Sequence, residues 1–364
     1  MNCPIRVLCV FSTLDRGGAE TMCMNLYRHI DREKIQFDFV KHTSETGDFE
    51  EEIKKLGGCI YEAPQYKIYN TVQYRKWWKD HLLKHPEHKI IHGHYFTISA
   101  IYFNVAKNMG RTTIGHAHAS TISGTLKQYL CKQISKYSDY RFACSEQAGR
   151  WLYGDKPFCI VKNALDIDKF QYNEKVRQQY RDELNLNDYL ILGTVANMSP
   201  VKNPMGVIDI FLEVHRRKEN TKLVWVGEGG QRNTIEERIK QERIESYIIL
   251  LGQRRDVNKI LQAIDVFLLP SINEGLPVSV IEAQASGLPC YISDKITSEV
   301  DITGLCHFLP LDAWSQWAKE ILTKREPREN TKQKIIGAGY DIHSTAIWLE
   351  EFYLRINKEQ GGNN

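Results

Sequence analysis

Residues 265–289 read DVFLLPSINEGLPVSVIEAQASGLP, and this stretch decides the fold class. Its apolar run predicts a buried strand from Val266 to Leu269. Pro270 and Ser271 end the strand, and a polar loop follows that carries Glu274 and Gly275. Proline suits the first turn of a helix, so Pro277 and Val278 mark a helix start. That helix is predicted to reach Ala285, with another strand over Pro289 to Ile292. Two strands joined through one helix form a βαβ unit, which belongs to a parallel sheet.

The alternation extends in both directions. Upstream, strands are predicted over Leu190 to Ala196, Lys222 to Val226 and Ile248 to Leu251, with helices between them. A separate series begins with a strand from Ile5 to Phe11 and ends with one from Tyr140 to Cys144. The polar segment NALDIDKFQYNEK, residues 163–175, reads as a linker, with a hinge near 163 to 188. The expectation is therefore α/β, with two Rossmann-like doubly wound domains, residues 1–165 and 166–340, facing across a cleft. Residues 341–364 are expected to form a helix that crosses back toward the first domain and ends in a frayed tail, EQGGNN. A chain of 364 residues suits two cores. Ligands of such sheets bind at the carboxyl ends of the strands, and facing domains favour a small-molecule site.

Hydrophobic residues make up 42% of the chain and charged residues 26%, which excludes a disordered, collagen-like or coiled-coil protein. The formal charge of +3 is too small to call for nucleic acid, and none is expected as a partner. Charge is uneven, however. Residues 65–141 hold twelve Lys/Arg against three Asp/Glu, so this segment attracts anionic surfaces. The nine cysteines have irregular spacing and no C-x-x-C, and free thiols in a reducing compartment are expected. The apolar runs fall short of the ~18 residues of a membrane span. The start MNCPIRVLCVF lacks signal-peptide features. The expected location is the cytoplasm, with any membrane contact peripheral.

Several residues carry chemistry by type and position. The N–H groups that open the helix at Val278 make an anion site. Glu274 and Glu282 beside it are placed to accept hydrogen bonds from the hydroxyls of two different sugars, or else are a loop acid and a solvated helix residue. VANMSPVKN, residues 195–203, opens a helix after a strand, and Lys202 there is a cation matched to a diphosphate. STLDRGGAE, residues 12–20, is a βα turn in which Gly17 and Gly18 allow close backbone approach to a ligand. It lacks the G-x-G-x-x-G of a dinucleotide site. TTIGHAHAS, residues 112–120, puts His116 and His118 on the same side of a strand's carboxyl end. His92 or His94 of HGHYF, residues 92–96, could add a third metal ligand, but no acid completes a set and no metal site is expected. Asp166-x-Asp168 lies in the linker and reads as turn or capping residues.

Taken together, these segments resemble the family 4 retaining glycosyltransferases of GT-B fold. The resemblance rests on EGLPVSVIE at 274–282 and spans nearly the whole chain. It includes GGAE at 17–20, HAHAS at 116–120, KN at 202–203, VGEGG at 226–230 and LGQRRDV at 251–257. It is strongest toward transferases of capsule, exopolysaccharide and O-antigen synthesis. The resemblance implies that Glu282 holds the nucleotide ribose and Glu274 the transferred sugar. The backbone of Gly275, Leu276, Pro277 and Val278 would hold phosphate and sugar, with Gly17 and Gly18 neighbours of the diphosphate. It makes His118 the active-site histidine and groups His118, Glu274 and Lys202 as catalytic. His94, Tyr95 and His116 would lie on the acceptor side. Relatives carry Arg five residues before the lysine, whereas this chain has Asn197. Arg254 or Arg255 would then compensate, or line the base pocket.

Two segments mix basic and apolar residues at helical spacing: QYRKWWKDHLLKH, residues 73–85, and LKQYLCKQISKYSDYR, residues 126–141. Such helices read as membrane-surface contacts through Trp77, Trp78 and the interleaved lysines, or as ordinary core-facing helices. The resulting expectation is a hexosyl- or N-acetylhexosaminyl-transferase with its donor in the C-terminal domain and its acceptor in the N-terminal one. The donor would be a UDP-sugar ahead of a GDP-sugar, and the acceptor a lipid-linked saccharide at an anionic membrane surface. No essential metal or other cofactor is expected. A nucleotide-sugar epimerase of similar fold and an inactive partner subunit are the alternatives.

Overall fold

The computed structural model describes residues 3–94, 96–118, 125–324 and 327–361. The chain divides into two compact units, Met1–Leu165 with Gly339–Asn364, and Asp166–Ala338. The first unit is built on strands β1 (Ile5–Val10), β2 (Ile35–Lys41), β3 (Ile60–Glu62), β4 (Ile90–Gly93), β5 (Thr112–Ala117), β6 (Tyr140–Ala143) and β7 (Cys159–Ile160). They form one parallel sheet in the order β3-β2-β1-β4-β5-β6-β7. Helices cover both faces, so the strands must be apolar on both sides. β2 shows what a polar residue needs there. All seven of its residues are buried, yet it contains Gln36, Asp38 and Lys41. Asp38 accepts bonds from Arg6 and from His88 at 2.8 Å, and Lys41 donates to Glu50 at 2.6 Å. Burial pushes the Asp38 carboxyl up, but the bonds from His88 and Arg6 outweigh it and hold the group at about 2. Buried charges are tolerated when paired in this way.

The second unit contains β8 (Leu190–Val195), β9 (Thr221–Val226), β10 (Ile248–Leu250), β11 (Val266–Leu269), β12 (Cys290–Ser293) and β13 (Cys306–Leu309). Its parallel order is β10-β9-β8-β11-β12-β13, the arrangement of a doubly wound dinucleotide-type sheet. Trp225 and Trp317 are wholly buried in its core.

Several predicted boundaries change. The linker segment is partly helical, with helices at Ile167–Phe170 and Glu174–Glu183. Asn173 caps the second by accepting from the N–H groups of Lys175 and Val176 at 3.0 and 3.2 Å. Its polar sequence hid it, because its buried Arg181 is satisfied by the carbonyls of Ala263, Leu186 and Tyr189 rather than by apolar packing. Helix Glu146–Tyr153 was also unforeseen. It contains Gly149, a poor helix former, where any Cβ would lie 2.2 Å from the Phe158 ring. The basic segment 126–141, read at helical spacing, falls on two helices, Thr125–Lys132 and Ile134–Tyr137. The terminal helix, Ile342–Gly361, includes the start of the segment expected to fray. It packs on the first unit, where its Tyr353 hydroxyl lies 2.7 Å from His92 Nδ1.

The Trp77-Trp78 pair expected at a membrane surface is largely interior. Trp78 is fully buried, stacked on Tyr102 at 4.7 Å, and Trp77 is half-buried against His81. Ile134 of the other segment is also core, while Leu126 and Lys127 have no described side chains. The lysines named with them, Lys76, Lys79, Lys132 and Lys136, are exposed. No helix among the described residues is long and apolar enough to cross a membrane.

Candidate functional site

In the second sheet the chain runs outward from β8 to β10 on one side and from β11 to β13 on the other. The gap between β8 and β11 is therefore the point where strand order reverses, the favoured ligand position in such sheets. The loop after β8, residues 196–203, and the loop after β11, residues 270–277, meet there. Ile272 N–H donates to the Val201 carbonyl at 2.8 Å. Asn203 adopts a left-handed conformation at φ 51° and caps helix Pro204–Arg217 through Gly206 N–H at 3.2 Å. This turn leaves Lys202 paired through Nζ with Glu274 Oε1. The same carboxylate oxygen accepts from the fully buried Ser271 hydroxyl at 2.7 Å. Two sequence-predicted residues are thus in contact, and Ser271 holds one of them in place. Its role was missed, although a small hydroxyl residue immediately after a buried strand was the available signal.

A third loop, residues 227–231, is stitched to the first. Met198 N–H donates to the Glu228 carbonyl and Gln231 N–H to the Met198 carbonyl, both at 3.0 Å. The approach is close at Gly227, where φ is 139° and a Cβ would sit 2.1 Å from the Ala196 oxygen. Only glycine permits that backbone.

Helix Val278–Ala285 begins after Pro277 with no side-chain cap. Its opening N–H groups are the donors that an α-helix cannot satisfy internally, and they favour an anion. Glu282 lies one turn inside it. Its carboxylate meets no hydrogen-bond partner among the described residues, and burial pushes it up to about 7. Such a group is ready to accept donors that a ligand supplies.

Asn197 and the two arginines expected near the diphosphate differ in what they meet. Asn197 is exposed and accepts from Ser199 Oγ at 2.7 Å. Arg254, proposed as its substitute, grips Asp256 with two bonds of 2.8 and 2.6 Å. The Asp256 carboxyl is held at about 2, by Arg254 first and also by the Tyr180 hydroxyl. Arg255 is exposed, with no side-chain partner among the described residues.

In the first unit, Gly17 precedes helix Gly18–His29, and its Cβ position is crowded only by the Glu20 side chain. Nothing lies within 4 Å of a Cβ at Gly18, so this backbone is open to a ligand. At the carboxyl ends of β4 and β5, four histidines stack. His116 and His118 have ring centroids 4.2 Å apart, as strand alternation required, and His92 and His94 are 4.3 Å apart. His94 Nδ1 lies 2.8 Å from His118 Nε2, and His92 Nε2 lies 3.2 Å from His116 Nδ1. Burial lowers His118 to about 3 and holds His94 and His116 well below the usual histidine value, so these rings are neutral. They can orient a ligand by hydrogen bonding but carry no charge to it. His92, His94 and His116 bring ligand atoms within 4.8 Å of one another, as do Cys9, Cys23 and His94, and neither group includes a carboxylate. Tyr95 and residues 119–120 lie outside the described residues.

Comparison with known proteins agrees with this architecture. Residues 16–169 match the model for Glycosyltransferase Family 4, and residues 176–304 the model for Glycosyl transferases group 1. EpsF of Bacillus subtilis (strain 168) is 31% identical over 378 residues, covering 98% of each chain. The capsular polysaccharide biosynthesis glycosyltransferase CapH of Staphylococcus aureus is 23% identical over 96% of this chain and 99% of its own. Among solved structures, HepE of Anabaena in complex with UDP and glucose superposes with a TM-score of 0.75. It covers 97% of this chain and 99% of its own, at 15% identity. Two doubly wound units, with the E-G-L-P-V-S-V-I-E loop at the reversal of the second sheet, thus place this chain in glycosyltransferase family 4, with the GT-B fold.

Proposed function

We propose that the chain transfers a sugar from a nucleotide-diphospho-sugar to a lipid-linked saccharide, with retention of anomeric configuration, in the synthesis of a surface polysaccharide. The contact of Lys202 with Glu274, beside an uncapped helix start, carries this reading. A diphosphate entering there takes Lys202 and the helix N–H groups, and frees Glu274 for the hydroxyls of the transferred sugar. Glu282 accepts the ribose hydroxyls. The leaving diphosphate is stabilised by charges already fixed in place, which need not reorganise during the reaction. The departing phosphate takes the acceptor's proton. His118, with His94 behind it, offers neutral hydrogen-bonding groups to a sugar. No metal ion is required to bridge the diphosphate. A UDP-sugar is the favoured donor.

The first unit receives the acceptor, working from the cytoplasmic face of the membrane. Ile68, Tyr69 and Val72 are 72, 83 and 81% exposed, unusual for such residues in a protein that meets only water. Lys67, Arg75, Lys76 and Lys79 surround them in sequence and are exposed as well. Apolar side chains ringed by cations suit an anionic bilayer surface. These residues, rather than Trp78, form the proposed contact.

Thermal-shift measurements with UDP-, GDP- and ADP-sugars test the donor. A ligand at about 100 times its Kd stabilises by about 2.7 kcal/mol. Incubating the stabilising donor with a lipid-linked acceptor and determining the product anomer by NMR tests the rest. Stabilisation by none of the donors, or an inverted product, refutes the reading.

A further inference from the structure

The first unit contains a cavity of about 680 Å³ at the carboxyl ends of β2 and β3. Thr43 and Glu45 from the segment after β2, Glu62 and Gln65 at and beyond β3, and Trp77 from helix Thr71–Lys84 line it. We propose that this cavity is a subsite for a saccharide unit of the acceptor, away from the hydroxyl that receives the new sugar. The inference rests on the transferase reading above and specifies where the acceptor is recognised.

The lining has the chemistry of a sugar site. Hydroxyls of a pyranose need acceptors and donors in several directions, and two carboxylates, the hydroxyls of Thr43 and Ser44 and an amide supply them. The C–H face of the ring needs a flat apolar partner, and Trp77 is the one large aromatic side chain of the lining. Burying a sugar hydroxyl without a partner is costly, so a mixed lining of this kind selects a polyol over an apolar ligand.

The wall is rigid. Lys41, only 1% exposed, donates to Glu50 at 2.6 Å and to the Glu45 carbonyl at 2.9 Å, and lies 3.3 Å from Glu62. It ties the segments after β2 and β3 together. His42 donates from Nδ1 to the Phe11 carbonyl, and its Nε2 pairs with the Tyr74 hydroxyl, each at 2.8 Å. Trp77 is fixed by its stack on His81, with centroids 5.1 Å apart and planes within 7°. A fixed ring and a fixed backbone lose little freedom when a ligand binds.

Position supports the assignment. β2 neighbours β1 in the sheet, and the turn after β1 holds Gly17 and Gly18. On the other side, Gln65 of the lining is followed in sequence by the exposed Ile68, Tyr69 and Val72. An acceptor whose lipid end lies at those residues would carry its saccharide past this cavity.

Oligosaccharides released by mild acid from the surface polysaccharide of the source cells, free of lipid, serve as the probe. Binding is followed by saturation-transfer NMR on the full chain, alongside binding of UDP. Wild type is expected to bind the saccharide, and Trp77→Ala to bind it about tenfold more weakly, the loss of one aromatic stack. Trp77→Phe should retain most of the affinity, with UDP binding unchanged throughout. Gln65→Ala alters an exposed position and serves where Trp77→Ala does not fold. Unchanged saccharide affinity in folded Trp77→Ala or in Gln65→Ala overturns the subsite. Failure of sugar transfer, with Trp77-dependent saccharide binding intact, would instead count against the transferase reading alone.

Discussion

Glu282→Gln separates the charge of the proposed ribose carboxylate from its shape. In the ligand-free protein, burial raises this carboxyl from 4.5 to about 7. A raised acid pKa means that the folded state disfavours the ionised form. The penalty is absent below the unfolded value, grows as pH rises between the two values, and is complete above about 7. The full shift corresponds to roughly 3 kcal/mol, and because the residue keeps some solvent contact, about 1–2 kcal/mol is expected. Glutamine cannot ionise. Glu282→Gln should therefore raise the melting temperature of the second unit by about 2–8 °C near pH 8, and by little near pH 5. Differential scanning fluorimetry at several pH values reads this directly. Nucleotide binding should move the other way. Two ribose hydroxyls donate more strongly to a carboxylate than to an amide, so affinity should fall by about 10- to 100-fold. In wild type those same bonds lower the bound-state pKa. UDP should bind more tightly as pH rises toward about 7 and level off above it. A stabilisation that does not depend on pH, or a variant that binds UDP like wild type, refutes the assignment.

Other substitutions probe other parts of the argument. Lys202→Ala should lower transfer at least tenfold, because a charge-assisted phosphate contact contributes about 1.5–3 kcal/mol, and steady-state kinetics check it. Arg255→Ala should weaken UDP binding more than Arg254→Ala, since Asp256 already occupies Arg254; calorimetric titration with UDP decides between them. Changing Lys76, Lys79, Lys132 and Lys136 together to Glu should abolish sedimentation with anionic vesicles at low salt while UDP binding survives, and wild-type binding should fall as salt rises. Trp78→Ala should cost about 3–5 kcal/mol of folding stability, measured by urea unfolding, whereas Val72→Ala at an exposed site should cost little and act on vesicle binding instead.

The sequence was most informative where a backbone pattern and its chemistry coincide. β11, its loop and helix Val278–Ala285 fall where the apolar run, the proline and the glutamates put them. Apolar strands with turn residues between them declare themselves, because both faces of a parallel sheet must be dry. Helix Glu174–Glu183 does not, because its anchor is an arginine bonded to carbonyls, and hydropathy cannot report that. The basic segments misled for a related reason. Helical spacing places Trp78 and Lys79 next to each other in sequence but on different faces, and the pattern does not say which face meets the core. Nor does the sequence show pairing. Arg254 and Arg255 look alike until Asp256 is seen to hold one of them.

That pairing clarifies what the absence of arginine at Asn197 means. In the ligand-free second unit, Lys202 is matched by Glu274, Arg254 by Asp256, and Arg232 by Glu228 and Glu236. An arginine at position 197 would add a cation that has no carboxylate assigned to it among these pairs. With asparagine there, the loop is neutral before the donor arrives, and Lys202 need exchange only one partner for another. The exchange moves Glu274 from a lysine to a hydroxyl and Lys202 from a carboxylate to a phosphate, so each keeps a charge-assisted bond. Attraction for the diphosphate then depends heavily on the helix N–H groups at Val278, which carry no formal charge and are weakened little by swapping side chains nearby. The affinity of this site for nucleotide should accordingly rest on the geometry of residues 275–278 and on Glu282 more than on the number of basic residues around it.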